Sequence, residues 1–336
     1  MPEILIYIGV ILVAGVVVWK GSDLLESSTE KLSTYYGLPP TIHGAVVVAI
    51  GSSFPEFSST VLSTLLHGEF ELGLSAVVGS AIFNIMVIPG LSGLASKGPL
   101  KAGKELVYKE ALFYIISVAV LLLTFSFAVI YFPSEKSLQG NFNRWLALIP
   151  IGLYALYLFI QQQEMKESGQ QKDQGSTKPG KQWLLLLLSL GLVLVGVEGL
   201  IRAALFFGDY FNTPNFFWGL TVIAAVTSIP DALISIRMAK QGKGIPSLSN
   251  VLGSNIFDLL IAVPAGVLIA GSTLIDFNIA APMMAVLTFA TLLLFTLLRT
   301  RLILTRVESW VMLIGYLLFL IWSVLEATGQ IDWIPE

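Results

Sequence analysis

Residues 74–83 read LSAVVGSAIF, and residues 248–257 read LSNVLGSNIF. The two blocks are identical at seven of ten positions, and they lie 174 residues apart. Such similarity between two parts of one chain is typical of an internal structural repeat. The sequence therefore predicts a fold that is built from two related halves.

A second pair of blocks supports the repeat. VVVAIGSSFPE at 46–56 aligns with TVIAAVTSIPD at 221–231, at an offset of 175 residues. The alignment places a proline on a proline and Glu56 on Asp231. Each half is thus expected to contribute one carboxylate at the same place, inside a long apolar run.

Composition indicates what surrounds these blocks. Hydrophobic residues make up 55% of the 336, charged residues make up only 12%, and the mean hydropathy is +0.81. Because a helix needs about 20 apolar residues to cross a bilayer, we predict an all-α polytopic membrane protein with ten transmembrane helices. The absence of cysteine excludes disulfides and thiol chemistry. The predicted spans are 4–26, 41–66, 72–96, 107–132, 144–163, 183–205, 214–238, 247–271, 279–299 and 303–326.

One polar stretch divides these helices into two sets. QQQEMKESGQQKDQGSTKPGK at 161–181 is rich in Gln, Gly and Ser, as linkers are. Within one integrated transport domain, we assign residues 1–163 to a first five-helix repeat, 164–182 to a cytoplasmic linker and 183–336 to a second five-helix repeat. Because five is odd, the second repeat enters the membrane from the opposite side. Such inverted-topology repeats are typical of secondary transporters, whose binding sites lie near the membrane midplane.

Basic residues predict the orientation in the membrane. With ten helices and an outside N-terminus, all but three of the 19 Lys and Arg residues fall on the cytoplasmic side, the exceptions being Lys136, Arg144 and Arg202. Both termini are therefore expected outside. The first apolar segment has no basic flank before it, so we expect a retained helix and not a signal peptide. Without an organelle-targeting leader, the expected location is a plasma membrane of the prokaryotic inner-membrane type.

Oxygen-bearing side chains recur at helical spacing on four of the predicted helices. They are Ser52, Ser53 and Glu56; Ser80 and Asn84; Thr227, Ser228 and Asp231; and Ser254 and Asp258. Neither His nor Cys is among them. Hard oxygen donors of this kind suit Na⁺, K⁺ or Ca²⁺, and they do not suit zinc or copper.

Two prolines lie beside these donors. Pro55 and Pro230 cannot donate to the carbonyl groups four residues earlier, so each helix is expected to be kinked or broken there. A carbonyl freed by such a break can coordinate a cation if it lines a cavity enclosed by protein. Glu56 and Asp231 are thus predicted to belong to an ion site within the membrane.

Other polar and small residues have structural interpretations. Gly79 and Gly253 each follow a serine by four residues, a spacing that favours close helix packing. For Ser80 and Ser254, packing and ion ligation both stay open at this point.

Glu198 and Arg202, four residues apart, are predicted to form an ion pair near a helix end. Glu198 is also a weaker repeat partner of Asp23, since each precedes the carboxylate of its half by 33 residues. The side chains that we assign to solvated faces or membrane interfaces are Asp23, Glu26, Glu30, His43 and His67.

Four motif pieces, GSSFPE, GSAIFN, VTSIPD and GSNIFD, resemble the alpha repeats of the cation/calcium exchanger superfamily. The resemblance implies antiport of Ca²⁺ against Na⁺, with the first and sixth helices sliding over the rest. It also implies a set of ion ligands. These are Ser52, Ser53, Glu56, Ser80, Asn84, Thr227, Ser228, Asp231, Ser254 and Asp258, with backbone carbonyls near Ala49 and Ala224.

Departures from the family pattern point to a subtype. Val226 stands where the second motif usually has Gly, Ala81 where Asn is common, and Asp231 where sodium/calcium exchangers have Glu. The aspartate at 231, together with GSAIFN and GSNIFD, looks more like the potassium-dependent sodium/calcium branch. The proton/calcium branch has Gly-Asn-x-x-Glu in place of Ser-x-Pro-Glu, and the sequence does not match it well. The linker is too short for regulatory calcium-binding domains.

The expected function is therefore secondary active antiport of Ca²⁺ and Na⁺, with K⁺ and H⁺ as further candidate ions. We expect no cofactor, no enzymatic activity and no nucleic-acid partner, and we expect a monomer in a lipid bilayer whose ligands are small inorganic cations. Two alternatives stay open. One is a proton-coupled exchanger of Ca²⁺ or another divalent cation, and the other is a passive cation channel, which an inverted repeat within one chain disfavours.

Overall fold

The computed structural model describes residues 2–36, 49–166 and 179–331. These ranges are mostly helical. Three helices, α4, α7 and α9 below, each contain one five-residue π-helical turn. The helices are α1 (Pro2–Tyr36), α2 (Ala49–His67), α3 (Phe70–Ala95), α4 (Leu106–Tyr131), α5 (Arg144–Lys166), α6 (Pro179–Phe211), α7 (Asn215–Thr227), α8 (Ile229–Lys240), α9 (Gly244–Ala270), α10 (Phe277–Arg301) and α11 (Arg306–Ala327).

Most of these helices could cross a membrane. In the described ranges, eight are long and apolar enough to do so, and α7 with α8, bent by 45° at their junction, would make a ninth crossing. α2 is described only from Ala49 onward and is not among the eight. The helical membrane protein that the sequence predicts is therefore confirmed, whereas the count of ten helices in two repeats stays a prediction.

Three helices extend into stretches that were predicted as loop or linker. α1 continues ten residues beyond its expected end at 26, because residues 22–36 contain neither glycine nor proline to stop it. The acidic residues at 23, 26 and 30 consequently lie on a helix and not in a loop. α5 and α6 both extend into the predicted linker, and the rest of that linker, like His43, lies outside the described residues.

The two prolines behave differently. Pro230 lies in the first turn of α8, directly after the bend, so the predicted break is confirmed there. α2, by contrast, is continuous through Pro55, so the helix is not broken there, and a kink at that position stays a prediction. A proline removes only one helical hydrogen bond, here the one to the Gly51 carbonyl, and a helix can continue where neighbours hold both sides. Tight packing of α2 on α3, where Gly73 leaves no room for a side chain beside Thr60, supplies that support.

Four short strands modify the all-α prediction. β1 (Leu100–Lys101) pairs antiparallel with β4 (Ile303–Leu304), and β2 (Gln139–Asn143) pairs antiparallel with β3 (Ser272–Asp276). Each ribbon joins a loop of the first half to a loop of the second half. The loops thereby satisfy backbone groups that would otherwise need other partners.

The two helices that carry the repeated ten-residue blocks occupy the centre. The most apolar window of α3 is 94% buried within the protein and that of α9 is 78% buried, while the other spanning helices reach only 22–39%. α3 and α9 are therefore surrounded by other helices, whereas each of the other spanning helices has one face on the outer surface of the protein. This arrangement places the repeated motifs away from lipid.

Glycine permits a close approach of α3 and α7. A Cβ on Gly79 would overlap the Leu220 carbonyl oxygen and lie 2.8 Å from the Ala224 Cβ. The packing interpretation of Gly79 is therefore confirmed. At Gly253 no described atom lies within 4 Å of such a Cβ, so its packing role stays a prediction.

We expect Gly79→Ala to lower the melting temperature of the detergent-solubilised protein, since the two backbones must separate to admit the methyl group. Overpacking of this kind typically costs about 1–3 kcal/mol. Gly152→Ala on α5 is the matched control, because nothing lies within 4 Å of its Cβ and alanine favours the helix. A melting temperature for Gly79→Ala at or above that of wild type would contradict the close approach.

Candidate cation-binding site

The ten side-chain donors predicted from the sequence are all buried, with no more than 4% of any of them exposed. Four places in the fold hold them: α2, α3, α9 and the junction of α7 with α8. They are Ser52, Ser53 and Glu56 on α2; Ser80 and Asn84 on α3; Thr227, Ser228 and Asp231 at the junction; and Ser254 and Asp258 on α9.

Serine hydroxyls link the two halves of the chain. Ser80 donates to Glu56 Oε1 at 3.0 Å, and its oxygen is 2.7 Å from the Ser228 hydroxyl oxygen. These hydrogen bonds join α2, α3 and the α7–α8 junction. The Ser80 hydroxyl thus has polar partners, and its role as an ion ligand stays a prediction.

The second half repeats this arrangement with its own residues. Ser254 donates to Asp231 Oδ2 at 2.6 Å, and its oxygen is 2.8 Å from the Ser53 hydroxyl oxygen. Under the sequence alignment, Ser254 corresponds to Ser80, Asp231 to Glu56 and Ser53 to Ser228. The hydrogen bonds therefore follow the same pairing as the repeated sequence blocks.

The other donors follow the pairing too. Thr227 of the second half faces the Glu56 carboxylate, and Ser52 of the first half faces Asp231. Asp258 lies within electrostatic range of both of these carboxylates, and the Ser53 hydroxyl faces it. Three carboxylates thus share one buried region with hydroxyl groups between them.

In the part of the chain that the structure describes, five oxygens of this region have no hydrogen-bond partner. They are Glu56 Oε2, Asn84 Oδ1, Asp231 Oδ1 and both carboxylate oxygens of Asp258. Among the residues that the structure describes, no basic side chain forms an ion pair with any of these groups. A buried carboxylate or amide oxygen without a partner is unfavourable by several kcal/mol, so the donor set fits cations as the missing partners.

The carboxylates alone do not make the site. Within the three described ranges, no group of three acidic, histidine or cysteine side chains is close enough to hold a metal ion by itself. An ion here would need hydroxyl, amide or backbone oxygens as well. Mixed oxygen donors of this kind suit Na⁺ and Ca²⁺.

Backbone carbonyls near Ala49 and Ala224 are the remaining predicted donors. The Ala224 carbonyl, one turn before the α7–α8 bend, already accepts the backbone N–H of Ser228 at 3.1 Å and the Thr227 hydroxyl at 3.3 Å. Ala49 is the first described residue of α2. Their roles as ligands stay predictions.

Sequence reasoning missed two residues beside the site. Asn255, on α9 next to Ser254, is fully buried and hydrogen-bonded to Asn84 across the repeat boundary. Its side chain also contacts Tyr114 of α4. The aligned blocks contained one indication of its importance. Asn255 corresponds to Ala81, so the first half has no polar side chain at the equivalent position.

A charged cluster joins α2 to α6 away from these oxygens. His67 Nε2 is 3.1 Å from Glu198 Oε2, and Arg202 Nε donates to Glu198 Oε1 at 2.7 Å. The predicted ion pair of Glu198 with Arg202 is confirmed. His67 contributes a third member, from the last residue of α2, so it binds a neighbouring helix and does not simply face the interface.

A cavity of about 620 Å³ lies between α1, α8 and the start of α9. Asp23, Glu26 and Glu30 line it from α1, while Arg237 and Lys243 line it from the other side. Asp23 and Glu30 are exposed, as predicted for a solvated face, whereas Glu26 is half-buried and within electrostatic range of Asp231. Through Glu26, the lining of this cavity comes within electrostatic range of one buried carboxylate.

Comparison with known proteins agrees with this geometry. The sequence matches the family described as "Sodium/calcium exchanger protein" over residues 6–162 and 181–325, which include both halves. The chain belongs to the sodium/calcium exchanger family. It is thus a multi-pass membrane antiporter that exchanges cations, and the family is one of transporters and not of enzymes.

Individual relatives are similar to this chain over different lengths. Sodium/calcium exchanger MaX1 from Methanosarcina acetivorans is 23% identical over 278 residues, which cover 72% of this chain and 77% of MaX1. Sodium/potassium/calcium exchanger 4 from Mus musculus is 32% identical over 145 residues, 43% of this chain and 21% of that protein. A structure of the sodium-calcium exchanger NCX_Mj, soaked with 10 mM Na⁺ and 10 mM Sr²⁺, gives a TM-score of 0.63 at 25% identity, covering 94% of this chain and 97% of that chain.

Proposed function

We propose that this exchanger carries Ca²⁺ in one direction and Na⁺ in the other, by secondary active antiport at one site that both ions share. The observation that carries the proposal is the set of five buried oxygens without hydrogen-bond partners. MaX1 and NCX_Mj, which are similar to most of this chain, are named as sodium/calcium exchangers. Ca²⁺ and Na⁺ have similar preferences for oxygen ligands, so one set of donors can serve both.

Charge counting supports obligatory exchange. Glu56, Asp231 and Asp258 supply up to three negative charges, which one Ca²⁺ with one monovalent cation, or three Na⁺, would neutralise. An empty cluster of carboxylates is costly to expose to the apolar part of the membrane. Only the occupied site can then change its access from one side to the other, and the two loads must alternate.

The strand ribbons support ten crossings. Because β1 pairs with β4 and β2 pairs with β3, each pair of loops must lie on the same side of the membrane. An even number of crossings therefore separates the members of each pair. The number of crossings between the paired strands is even only if the bent helices α7 and α8 together count as one crossing.

A contact between α1 and α6 supports a membrane crossing by α2. Trp183 Nε1 near the start of α6 donates to the Tyr36 hydroxyl at the end of α1, at 3.0 Å. These two ends consequently lie on one side, and an even number of crossings separates them. With α3, α4 and α5 already between them, α2 must supply the fourth, which gives ten in all.

The positions of the cavity and the charged cluster support alternating access. With the N-terminus outside, the acidic cavity between α1 and α8 opens toward the cytoplasm. The cluster of His67, Glu198 and Arg202 then lies on the outer side, where it ties α6 to α2. We propose that this conformation admits ions from inside and that α1 and α6 slide to open the other side.

The experiment that tests the function uses purified protein in liposomes loaded with Na⁺. After dilution into Na⁺-free buffer, uptake of ⁴⁵Ca²⁺ is followed with and without external K⁺. Uptake that requires internal Na⁺ is the expected result, and dependence on K⁺ would identify the potassium-dependent branch. Uptake driven by a pH gradient without Na⁺ would instead show proton coupling, and uptake driven by voltage alone would show a channel.

We expect Asp258→Asn to change the requirement for the monovalent cation more than the affinity for Ca²⁺. Asp231 and Glu56 each accept a hydrogen bond from a serine, whereas both Asp258 oxygens lack a partner. Asp258 therefore supplies the third charge that a monovalent cation would neutralise. The measurement is the dependence of ⁴⁵Ca²⁺ uptake on Na⁺ and K⁺ concentration, and a loss of Ca²⁺ affinity equal to that of Glu56→Gln would contradict this role.

We further propose that the protein works as a monomer in a prokaryotic plasma membrane, with both termini outside. The bias of basic residues toward one side supports the orientation. The donor set supports the monomer, because all ten side chains come from one chain. Methanosarcina acetivorans, the source of MaX1, is a prokaryote, which supports the location.

A further inference from the structure

The side-chain amide of Asn84 has a fixed orientation in the site. Its Nδ2 donates to Asn255 Oδ1 at 3.0 Å, and its Oδ1 is buried without a partner. An amide can serve a cation only through its oxygen, because the NH₂ group is a donor. Whatever holds the Asn84 nitrogen away from the ion therefore decides whether Asn84 can act as a ligand.

Asn255 holds that nitrogen, and its own orientation is fixed in turn. Its Nδ2 donates to the Ala81 carbonyl oxygen at 3.1 Å and to the Tyr114 hydroxyl at 3.2 Å. If the Asn255 amide were flipped, its oxygen would face the Ala81 carbonyl, and two acceptors would oppose each other. Because a backbone carbonyl accepts and never donates, Asn255 Oδ1 must face Asn84.

Because these hydrogen bonds are buried, the loss of any one of them is costly. Asn84, Asn255 and Tyr114 have no exposed surface. Water therefore cannot replace a lost partner, and an unsatisfied amide in such a place is unfavourable. The network anchors the site to α4, a helix that contributes none of the ten predicted donors.

The repeat shows why only one half needs this support. Asp258 corresponds to Asn84 and offers two oxygens, so any rotation of its side chain presents an acceptor. Asn84 offers one oxygen and one NH₂ group and can present the wrong end. The residue that corresponds to Asn255 is Ala81, whose side chain forms no hydrogen bond but whose backbone carbonyl is the anchor.

We propose that Asn255 is a positioning residue, oriented by the Ala81 carbonyl and by Tyr114, that turns the Asn84 oxygen toward the transported cation. The proposal deepens the function proposed above and rests on it, since it assumes that Asn84 faces a bound ion. Asn255 itself does not touch the ion. Its role predicts that its removal matters only while Asn84 is present.

The test measures Ca²⁺ binding to purified protein by titration calorimetry for Asn255→Leu, Asn84→Ala and the double variant. Loss of a group that orients a metal ligand typically weakens binding about 10- to 100-fold, and we expect Asn255→Leu to fall in this range. In the Asn84→Ala background, Asn255→Leu is expected to change the affinity by less than about twofold, because the two act as a unit. Equal effects of Asn255→Leu in both backgrounds would overturn the positioning role.

Tyr114→Phe provides a milder variant in case Asn255→Leu fails to fold. It removes one of the two acceptors of Asn255 and leaves the Ala81 carbonyl, so binding should weaken by less than about tenfold, again only when Asn84 is present. Tyr157→Phe is the matched control, since the Tyr157 hydroxyl donates to Glu110 and not to this network. An effect of Tyr114→Phe no larger than that of Tyr157→Phe would also overturn the proposal.

The same titrations separate this inference from the proposed function. If wild-type protein binds Ca²⁺ and both network variants bind it equally well, only the positioning role fails. If wild-type protein binds neither Ca²⁺ nor Na⁺, the proposed function fails and the positioning role fails with it.

Discussion

Glu56→Gln is expected to reduce Na⁺-driven Ca²⁺ uptake to the level of empty liposomes. The substitution keeps the side-chain shape and an acceptor for the Ser80 hydroxyl, but it removes one of the three carboxylate charges of the proposed site. Truncating one member of a buried charge pair costs about 2–5 kcal/mol, or more than about 30-fold in affinity. Asp231→Asn is expected to have the same effect, because the repeat places Asp231 in the equivalent position with its own serine donor.

Glu110→Gln is the matched control for this loss. Glu110 is also a largely buried glutamate, with 14% of its side chain exposed, but it lies between α4 and α5 and accepts hydrogen bonds from Tyr157 and Gln161. A glutamine there keeps one oxygen that can accept from Gln161, and its NH₂ group can donate to the Tyr157 hydroxyl, so exchange should continue. The melting temperature of each variant checks that it is folded. Normal exchange by folded Glu56→Gln would remove the basis for a shared carboxylate site.

A covalent link between α2 and α6 is expected to abolish transport, as Glu56→Gln is. α1 and α6 pack on each other in an apolar cluster that is separate from the main core and that also includes Leu72 and Ala76 of α3 and Ile223 of α7. If these two helices slide together, a covalent link across the contact of His67 with Glu198 must stop them. In His67→Cys/Glu198→Cys, a short cleavable thiol reagent is expected to abolish ⁴⁵Ca²⁺ uptake, and cleavage of the reagent is expected to restore it.

The chain has no cysteine, so the introduced pair is the only target of the reagent. A disulfide between α1 and α6 is the matched control: in Ala14→Cys/Gly199→Cys, a Cβ at position 199 would lie 3.4 Å from the Ala14 Cβ, close to disulfide geometry. This link joins two helices that are proposed to move together, so exchange should continue. Full activity of the bridged His67→Cys/Glu198→Cys protein would show that α6 does not move relative to α2.

The sequence was sufficient to predict ten oxygen-bearing side chains that the fold buries, but not the contacts between them. The repeat with its 174- and 175-residue offsets located these ten, because helical spacing places hydroxyls and carboxylates on one face of each segment. Which hydroxyl meets which carboxylate depends on how the halves cross. The pairing of Ser80 with Ser228, and of Ser254 with Ser53, could therefore not be read from spacing.

Three further features needed the structure for physical reasons. Asn255 escaped notice because its role depends on three partners that are distant in sequence. The strands of the two ribbons are only two or five residues long, which is too short for an alternating strand pattern to stand out in the sequence. The continuity of α2 through Pro55, against the break at Pro230, depends on the neighbours of each helix and not on the proline itself.

The most direct test of the shared site is equilibrium binding of ⁴⁵Ca²⁺ to the purified protein as Na⁺ is raised, with no membrane and no gradient. If both ions use the oxygens of Glu56, Asp231 and Asp258, Na⁺ should displace all specifically bound Ca²⁺. The displacement should be sigmoidal, because more than one Na⁺ is needed to replace the charge of one Ca²⁺. Ca²⁺ that stays bound at saturating Na⁺ would show two separate sites and would contradict the account.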